Sequence, residues 1–356
     1  MTAQDMSVHS GKHFVEIDYL RCFAILAVIA IHTAAALTRI ENPADFYVVS
    51  LWQDIASFAV PLFICISGFV LYVSYLPNAK KKFYKKRFQR IIPPYLLFTV
   101  VYLIANIFKH YVIYGFYQIP SAEIIVNAFL FATSNEHMWF FLIIIELYLI
   151  YPIISTVYQK LLKYHIDWIF LLLAFLVQMV WNMMSGGLFV FVNDSSVYLS
   201  NKVFLCMIFY FILGMYLSEH YSVVCRVLHH VKSVILLGSM SIVTAISVFM
   251  LPQVLPSGFS VLVYCVLAIL FLFSVSQHLV QKSNKNIFVT VGLYSFGIYL
   301  IHPLIQGLFG YVIYPLVTLT PETWVYYPLV FLTTTVLSVL GVYLIKKLPY
   351  NKYIIG

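Results

Sequence analysis

Charged residues are scarce in this chain. Only 10% of its 356 residues are Asp, Glu, Lys or Arg, whereas a soluble domain carries about 25%. Hydrophobic residues make up 62%, and the mean hydropathy is +0.93. These values exclude a soluble globular enzyme and predict an all-α, polytopic bundle of transmembrane helices. Because apolar runs recur from end to end, we predict one membrane domain over 14–346, between polar cytoplasmic tails at 1–13 and 347–356.

Cysteines are also few, and they are scattered. None of the five (Cys22, Cys65, Cys206, Cys225 and Cys265) belongs to a Cys-x-x-Cys pair, so neither a disulfide framework nor a zinc site is indicated. The first thirteen residues lack the basic segment and the cleavage site of a secretory signal peptide. We therefore predict that the first apolar segment is retained as a membrane span.

Ten apolar segments are long enough to cross a bilayer, which takes about 20 residues. An eleventh, 121–134, is short. If it crossed the membrane, every later basic loop would lie outside, although cytoplasmic loops normally carry the excess of Lys and Arg. We therefore predict that 121–134 is re-entrant or lies at the outer interface, and that both termini are cytoplasmic. The ten predicted spans are 14–37, 47–75, 91–114, 137–158, 167–184, 201–219, 233–251, 258–280, 288–313 and 325–346.

Arg21 and His32 place two ionisable groups inside the first span. Such groups are costly at membrane depth, and they usually face a bundle interior and mark a functional path. Eleven helical residues advance about three turns, so the two side chains share one face and are about 16 Å apart along the axis. Asp18 lies on the same stripe, one turn before Arg21. The alternative is a buried salt bridge beside a structural histidine.

Arg87 and Arg90 stand in a lysine-rich loop before the third span. Positive-inside topology explains the lysines of 80–90, but the two arginines run into the apolar segment. Residues three apart are neighbours on a helix, and two guanidinium groups on one face match phosphate oxygens. This pattern indicates a site for an anionic cofactor with several phosphates. The alternative is that both side chains extend to lipid headgroups.

His137, Trp139 and Glu146 mark the beginning of the fourth span. Trp139 and Glu146 are seven residues apart and share a helix face. Trp139 is also typical of the aromatic belt at a membrane interface. Glu146 lies within the span, so we expect it to face the bundle interior.

Two further polar groups interrupt the apolar segments. Tyr299 and His302 are three residues apart and share a face of the ninth span. Ser67 precedes Gly68 in the second span. The alternative for both groups is helix packing, because small residues such as Gly68 and Gly297 permit close approach.

Together these motifs resemble those of the acyltransferase-3 family of membrane acyltransferases, and they occur in family order along the whole chain. The family transfers acyl groups, usually acetyl and sometimes succinyl, from cytoplasmic acyl-coenzyme A to sugar hydroxyls. The matching motifs are Asp18-x-Leu20-Arg21 with His32 following, Ile66-Ser67-Gly68-Phe69, Arg87-x-x-Arg90 followed by Ile91-x-Pro93, His137-x-Trp139-Phe140, and Ser295-Phe296-x-Ile298-Tyr299-x-x-His302-Pro303.

The resemblance implies a role for each polar residue. It implies that His32 is catalytic and that Arg21, Arg87 and Arg90 assist on the coenzyme A side. The chemistry of a neutral imidazole leaves two roles open for His32, a general base or a transient acyl carrier. The predicted catalytic residues are His32, Arg21 and Glu146; those that bind acyl-coenzyme A, most often acetyl-CoA, are Arg87, Arg90, Arg21 and Ser67; and those that bind the acceptor are His137, Trp139, Tyr299 and His302.

The resemblance also implies partners and a location. We expect contact with membrane lipid, acyl-coenzyme A and a glycan acceptor, in the plasma membrane of a bacterium, with no nucleic acid and no need for a metal. Many family members carry an additional soluble hydrolase-like domain, and we expect none in this protein because apolar segments fill the chain. We therefore expect direct transfer to a glycan, or the help of a partner that is a glycan synthase or an extracytoplasmic acyltransferase.

The sequence does not exclude two other classes of function. Buried His, Arg and Glu residues also suit a proton-coupled transporter or flippase for free or lipid-linked glycans. A structural subunit of an envelope-glycan synthase is the third possibility. Consumption of a thioester would distinguish a transferase from both.

Overall fold

The computed structural model describes residues 13–37, 51–75, 80–184, 202–250, 257–282, 286–310 and 323–356. Within these ranges all regular elements are helices, and no strand is formed. Short 3-10 turns at Ala56–Phe58, Glu136–Met138 and Phe204–Cys206 precede α2, α5 and α7. In chain order the α-helices are α1 (Val15–Leu37), α2 (Ala59–Ser74), α3 (Lys80–Tyr114), α4 (Ala122–Leu130), α5 (Trp139–Lys163), α6 (Asp167–Met184), α7 (Ile208–Glu219), α8 (Tyr221–Leu228), α9 (Val231–Met250), α10 (Ser257–Lys282), α11 (Ile287–Leu308), α12 (Thr323–Lys346) and α13 (Asn351–Ile355).

Nine of the described helical segments are long and apolar enough to cross a bilayer. They are α1, α3, α5, α6, α9, α10, α11 and α12, together with the segment Leu51–Ser74, which includes α2. Helices satisfy their own backbone hydrogen bonds, which is what a lipid environment requires. The chain is therefore a multi-pass, all-α membrane protein, as its composition predicts.

The sixth predicted span, 201–219, ends at the same residue as its helix, and a bend follows. Helix α7 has only 12 residues, and α8 follows it after a bend of 89°. His220 stands at the break, where its Nε2 lies 2.6 Å from Oδ2 of Asp167. Beside it, the Tyr72 hydroxyl donates to the Glu219 carboxylate at 2.8 Å. These polar contacts fix the break, and the described helices make up to 10 spans if α7 and α8 count as one.

The basic segment 80–90 is helical, and the prediction of a loop there is wrong. Helix α3 runs for 35 residues, through the lysines and through Pro93 and Pro94. Lys and Arg are good helix formers, so nothing in 80–90 ends the helix. Arg87 and Arg90 therefore project from one helix, where a spacing of three makes them neighbours.

The helix in segment 121–134 is too short to cross a bilayer, as predicted. This helix, α4, has 9 residues and rises about 14 Å, far less than the roughly 30 Å of a hydrocarbon core. The Ser121 hydroxyl accepts a hydrogen bond from the backbone N–H of Ile124 at 3.3 Å and so caps the helix. The cytoplasmic location of the termini and the tail boundaries stay predictions. Residues 1–12 lie outside the described ranges, and α13 lies in the tail 347–356.

The chain divides into two compact units. The first comprises residues 1–24, 58–85 and 142–292, and the second comprises 25–57, 86–141 and 293–356. In the first unit, α2 and α7 cross with their backbones in contact. A Cβ atom on Gly68 would overlap the carbonyl oxygen of Phe211, and one on Gly214 would overlap that of Cys65. Glycine at both positions therefore permits the crossing.

In the second unit, α3 supports the elements that carry the site. The Asn106 side chain donates from Nδ2 to the carbonyl oxygen of Ser134 at 2.9 Å. The buried Tyr102 hydroxyl donates to the carbonyl oxygen of Leu300, on α11, at 2.8 Å. One helix thereby fixes both the chain just before α5 and the middle of α11.

Candidate active site

Three histidines from three elements of the second unit meet, and we call them the histidine cluster. His32 lies on α1, His137 on the turn Glu136–Met138, and His302 on α11. The ring centroids are 5.2 Å apart for His32 and His302, 5.5 Å for His137 and His302, and 6.1 Å for His32 and His137. His137 and His302 are buried, with 2% and 0% of their surface exposed, whereas His32 is partly exposed. The structure thus brings together three residues that the sequence selects separately.

Two tyrosines enclose the ring of His137. The rings of Tyr102 and Tyr299 each lie 5.0 Å from it, centroid to centroid, in edge-on geometry. The Tyr299 hydroxyl also donates a hydrogen bond to the backbone carbonyl of His137. Because Tyr299 stands one turn before His302 on α11, this bond ties the two histidine-bearing elements together.

Gln306 fixes the helical turn that carries His32. Its Nε2 donates to the carbonyl oxygen of Ile29 at 3.1 Å and to the Thr33 hydroxyl at 2.9 Å. Gln306 is buried and stands one turn after His302 on α11. The two hydrogen bonds therefore join the His32 turn to the helix of a second cluster histidine.

Two further side chains bind the same turn of α1. The Tyr327 hydroxyl donates to the carbonyl oxygen of Ala30 at 3.0 Å. The Gln53 side-chain amide donates to the carbonyl oxygen of Ile31 at 3.3 Å. Three consecutive carbonyl groups before His32 thus accept side-chain donors in addition to their helical bonds, so the position of the His32 backbone is strongly determined.

The hydrogen bond of His302 defines its tautomer. Its Nδ1 lies 3.1 Å from the carbonyl oxygen of Ile298. A carbonyl oxygen can only accept, so Nδ1 carries a proton and Nε2 of the neutral ring carries a lone pair. That Nε2 is buried and has no hydrogen-bond partner among the described residues.

His137 has the same arrangement. Its Nδ1 lies 2.8 Å from Oδ1 of Asn135, which accepts the ring proton. Its Nε2 is also buried and finds no hydrogen-bond partner within the described ranges. Buried polar atoms are nearly always paired. Two such lone pairs in one cluster are therefore suited to accept hydrogen bonds from a bound molecule.

The cluster spacing suits a single bridging oxygen atom. An oxygen at hydrogen-bond distance from a nitrogen on each of two rings requires ring centroids no more than roughly 8 Å apart. All three centroid distances meet this condition. The three distances are therefore compatible with a hydroxyl group that contacts two imidazoles, as general base catalysis requires.

Arg87 and Arg90 belong to the second unit. Arg90 is exposed and donates from Nε to the carbonyl oxygen of Gly356 at 3.1 Å. Arg87 is partly buried. The structure places both on the same helix as Tyr102, which contacts the histidine cluster. Their predicted role in cofactor binding stays a prediction.

Arg21, Ser67 and Glu146 belong to the first unit. Arg21 donates from Nη1 to Oδ1 of Asp18 at 2.9 Å, which matches the buried salt bridge that the sequence offers as an alternative. Glu146 accepts a hydrogen bond of 2.6 Å from the backbone N–H of Phe204, and this contact gives the acid a structural role. Ser67 is partly exposed on α2. The predicted functional roles of all three stay predictions.

Sequence reasoning missed several residues around the cluster. Trp139, which it selected, opens α5 and is partly buried. Gln306 and Tyr102, which it did not select, contact the cluster or its supporting turn. A usable signal existed for Gln306, since it is polar, lies in an apolar helix and stands four residues after His302. No comparable signal distinguishes Tyr102 among 28 tyrosines.

Among the described residues, no group of three or more His, Cys, Asp or Glu side chains is arranged to hold a metal ion. The three rings of the histidine cluster are therefore also not arranged to hold a metal ion. The expectation that the reaction needs no metal stays a prediction.

Comparison with known proteins identifies the family. A family model described as "Acyltransferase domain" matches residues 14–343. The chain belongs to the acyltransferase-3 family. Two curated relatives, from Staphylococcus epidermidis and from its strain RP62A, are each 24% identical to this member over 316 residues, which cover 84% of this chain and 83% of the relative. Both are named "Probable poly-beta-1,6-N-acetyl-D-glucosamine export protein". No solved structure matches the chain.

Proposed function

We propose that this acyltransferase-3 protein is an O-acyltransferase of the bacterial plasma membrane. It moves an acyl group, acetyl or succinyl, from cytoplasmic acyl-coenzyme A to a hydroxyl of an envelope or exported glycan. The observation that carries the proposal is the histidine cluster. Two buried lone pairs beside a third, accessible imidazole suit a hydroxyl acceptor.

His32 is the reactive residue in this proposal. It is the partly exposed member of the cluster, so an incoming thioester reaches it first. As a general base, it takes the proton of the acceptor hydroxyl while the oxygen attacks the thioester carbonyl. As a nucleophile, it carries the acyl group between donor and acceptor. In both routes the carbon–sulfur bond breaks and coenzyme A leaves as the thiol.

The donor enters along α3. Arg90 precedes Tyr102 by twelve residues, or about 18 Å of helix, and the Tyr102 ring contacts His137. An extended phosphopantetheine arm spans a distance of this order between its phosphates and its sulfur. Arg87 and Arg90, in the first third of α3, therefore bind the phosphates, while the thioester reaches the histidine cluster beside Tyr102.

The acceptor is a glycan in this proposal. Both relatives are named for a polymer of N-acetylglucosamine. The Nε2 atoms of His137 and His302, which find no hydrogen-bond partner among the described residues, suit hydroxyl donors. His137, Tyr299 and Trp139 line the acceptor side. A glycan synthase or an extracytoplasmic acyltransferase is the expected protein partner.

A second candidate function is glycan export without acyl transfer. The names of the two relatives describe export, and buried ionisable groups also suit a proton-coupled path. The two functions differ in one observable, because only the transferase consumes a thioester.

The deciding experiment uses purified protein in nanodiscs with acetyl-CoA and a β-1,6-linked N-acetylglucosamine oligosaccharide. We expect free coenzyme A and acetylated oligosaccharide in equal amounts. Transfer should fall by about 10²- to 10⁴-fold in His32→Ala, the range for loss of a general base, with unchanged thermal unfolding. His230→Ala, at an exposed histidine, is the matched control. Normal turnover in folded His32→Ala would refute the proposal, and glycan transport into vesicles without release of coenzyme A would establish export.

A further inference from the structure

The Nε2 atom of His302 is a fixed, buried lone pair. The bond from Nδ1 to the carbonyl oxygen of Ile298 sets the tautomer and aims the ring. The side chain is 0% exposed, and Nε2 meets no hydrogen-bond partner in the part of the chain that the structure describes. A buried polar atom left unpaired is destabilising, so a bound group that donates to it would be strongly favoured.

The nearest cluster neighbour of His302 is His32. Their centroids are 5.2 Å apart, the shortest of the three separations. An oxygen within hydrogen-bond distance of His302 Nε2 can therefore stand beside the His32 ring, where an acyl group carried by that ring would be attacked.

We propose that His302 is a second catalytic base, which removes the proton of the acceptor hydroxyl while His32 carries the acyl group. This inference rests on the proposed function and decides between its two routes. It assigns the chemistry of the two half-reactions to two different imidazoles.

The steps balance as follows. A His32 ring nitrogen attacks the thioester carbonyl, the nitrogen–carbon bond forms, the carbon–sulfur bond breaks, and coenzyme A leaves as thiolate. The acceptor hydroxyl then gives its proton to His302 Nε2 while its oxygen attacks the acyl carbon of His32. The nitrogen–carbon bond breaks and restores neutral His32. The proton on His302 passes to the thiolate, so the products are an ester and the coenzyme A thiol.

His302 is a better candidate for this base than His137. Its Nδ1 partner is a backbone carbonyl, whereas that of His137 is the side-chain amide of Asn135, whose oxygen and nitrogen can exchange places. His137 is also farther from His32, at 6.1 Å. We assign to His137 a hydrogen bond that orients the acceptor.

The test separates the two half-reactions in the full-length protein in nanodiscs. The first measurement, without acceptor, follows rapid release of coenzyme A from acetyl-CoA and the mass of the intact protein. The second adds the oligosaccharide and follows acetyl transfer. His302→Asn is the main variant, because an Asn amide can still donate to the carbonyl of Ile298 while the basic Nε2 is lost. His302→Gln is the second variant if the first does not fold, and His137→Asn is the matched control.

We expect wild type to gain one acetyl group with stoichiometric release of coenzyme A. His302→Asn should acylate at a similar rate but transfer to the acceptor about 10²- to 10⁴-fold more slowly. His137→Asn should lose no more than about tenfold, the effect of one hydrogen bond, mainly in the KM for the acceptor.

Three results would overturn the inference. They are normal transfer by His302→Asn, loss of acylation by folded His302→Asn, and a wild type that transfers but is never acylated. Each of these leaves the proposed function standing. That function fails separately if wild type neither releases coenzyme A nor acetylates the acceptor.

Discussion

Arg21 donates a hydrogen bond of 2.9 Å from Nη1 to Oδ1 of Asp18, one turn earlier on α1. Asp18 is 0% exposed, and its other carboxylate oxygen lies 2.8 Å from Nε2 of His13. The arginine that the sequence assigns to the coenzyme A side is therefore also the counter-ion of a buried acid. Lost activity after its replacement can come from either role, and the two roles can be separated.

We expect Arg21→Ala to destabilise the protein because it leaves the Asp18 carboxylate buried with less compensation. Breaking a buried ion pair typically costs about 3–5 kcal/mol, and the remaining His13 contact favours the lower end. Asp18→Asn combined with Arg21→Ala should restore most of the stability, measured by thermal unfolding in detergent. Donor binding by the double variant then reports the functional role of Arg21 alone. An Arg21→Ala protein that unfolds like wild type would show that the pair contributes nothing.

We expect Gln306 to support catalysis by fixing the His32 turn. Gln306→Met keeps the side-chain length but removes the bonds to Ile29 and Thr33. At about 0.5–1.5 kcal/mol each, their loss should lower stability modestly. If the turn moves, kcat for transfer should fall while the KM for acetyl-CoA stays unchanged. Gln118→Met, at an exposed position, is the control. Equal kcat values for both variants would show that the role of Gln306 is limited to packing.

The hydrophobic pattern predicts most of the membrane helices because burial in lipid demands long apolar runs. It does not reveal the break after Glu219. The predicted span 201–219 ends at the residue where α7 ends, but the pattern does not show that α8 follows after a bend of 89°. At this break, Glu219 accepts a hydrogen bond from Tyr72, and His220 pairs with Asp167. The partners of these residues lie far away in the chain, so no local pattern reveals them.

The candidate site was predictable residue by residue but not as a constellation. His32, His137 and His302 stand out because imidazoles are rare in spans. Their convergence depends on tertiary contacts, such as those of Gln306 and those of Tyr102, which no sequence signal distinguishes among 28 tyrosines. Helical spacing relates residues only within one helix, so the tautomer of His302 and its open Nε2 required the structure.

The glycine pair between α2 and α7 provides a prediction for the fold. Gly68→Ala would push a methyl group into the carbonyl oxygen of Phe211. Overpacking of this kind costs about 1–3 kcal/mol, and a lower unfolding temperature in detergent would reveal it. Gly341→Ala is the matched control, because its nearest contact would be a side-chain atom of Ile301 at 3.7 Å. Equal unfolding temperatures for the two variants would contradict the close crossing.

Arg87 and Arg90 are expected to bind the phosphates of coenzyme A. Replacement of either by Ala should weaken binding by about 1.5–3 kcal/mol, the loss of a charge-assisted hydrogen bond. Lys should restore binding only in part, because a point charge cannot replace a bidentate fork. Titration calorimetry with coenzyme A measures the effect, and Lys85→Ala on an exposed part of the same helix controls for net charge. Unchanged affinity in both Ala variants would favour contact with lipid headgroups.

The membrane topology is the remaining prediction for the fold. Because the basic loops are predicted to lie on the cytoplasmic side, a cysteine at Lys163 should be protected from a membrane-impermeant maleimide in intact cells. A cysteine at Ile119, which is 82% exposed in the segment before α4, should react from outside. Both are introduced after replacement of the five native cysteines, and permeabilised cells serve as the control for reactivity. Strong external labelling at position 163 would invert the topology and place the basic residues of α3 outside, away from cytoplasmic acyl-coenzyme A.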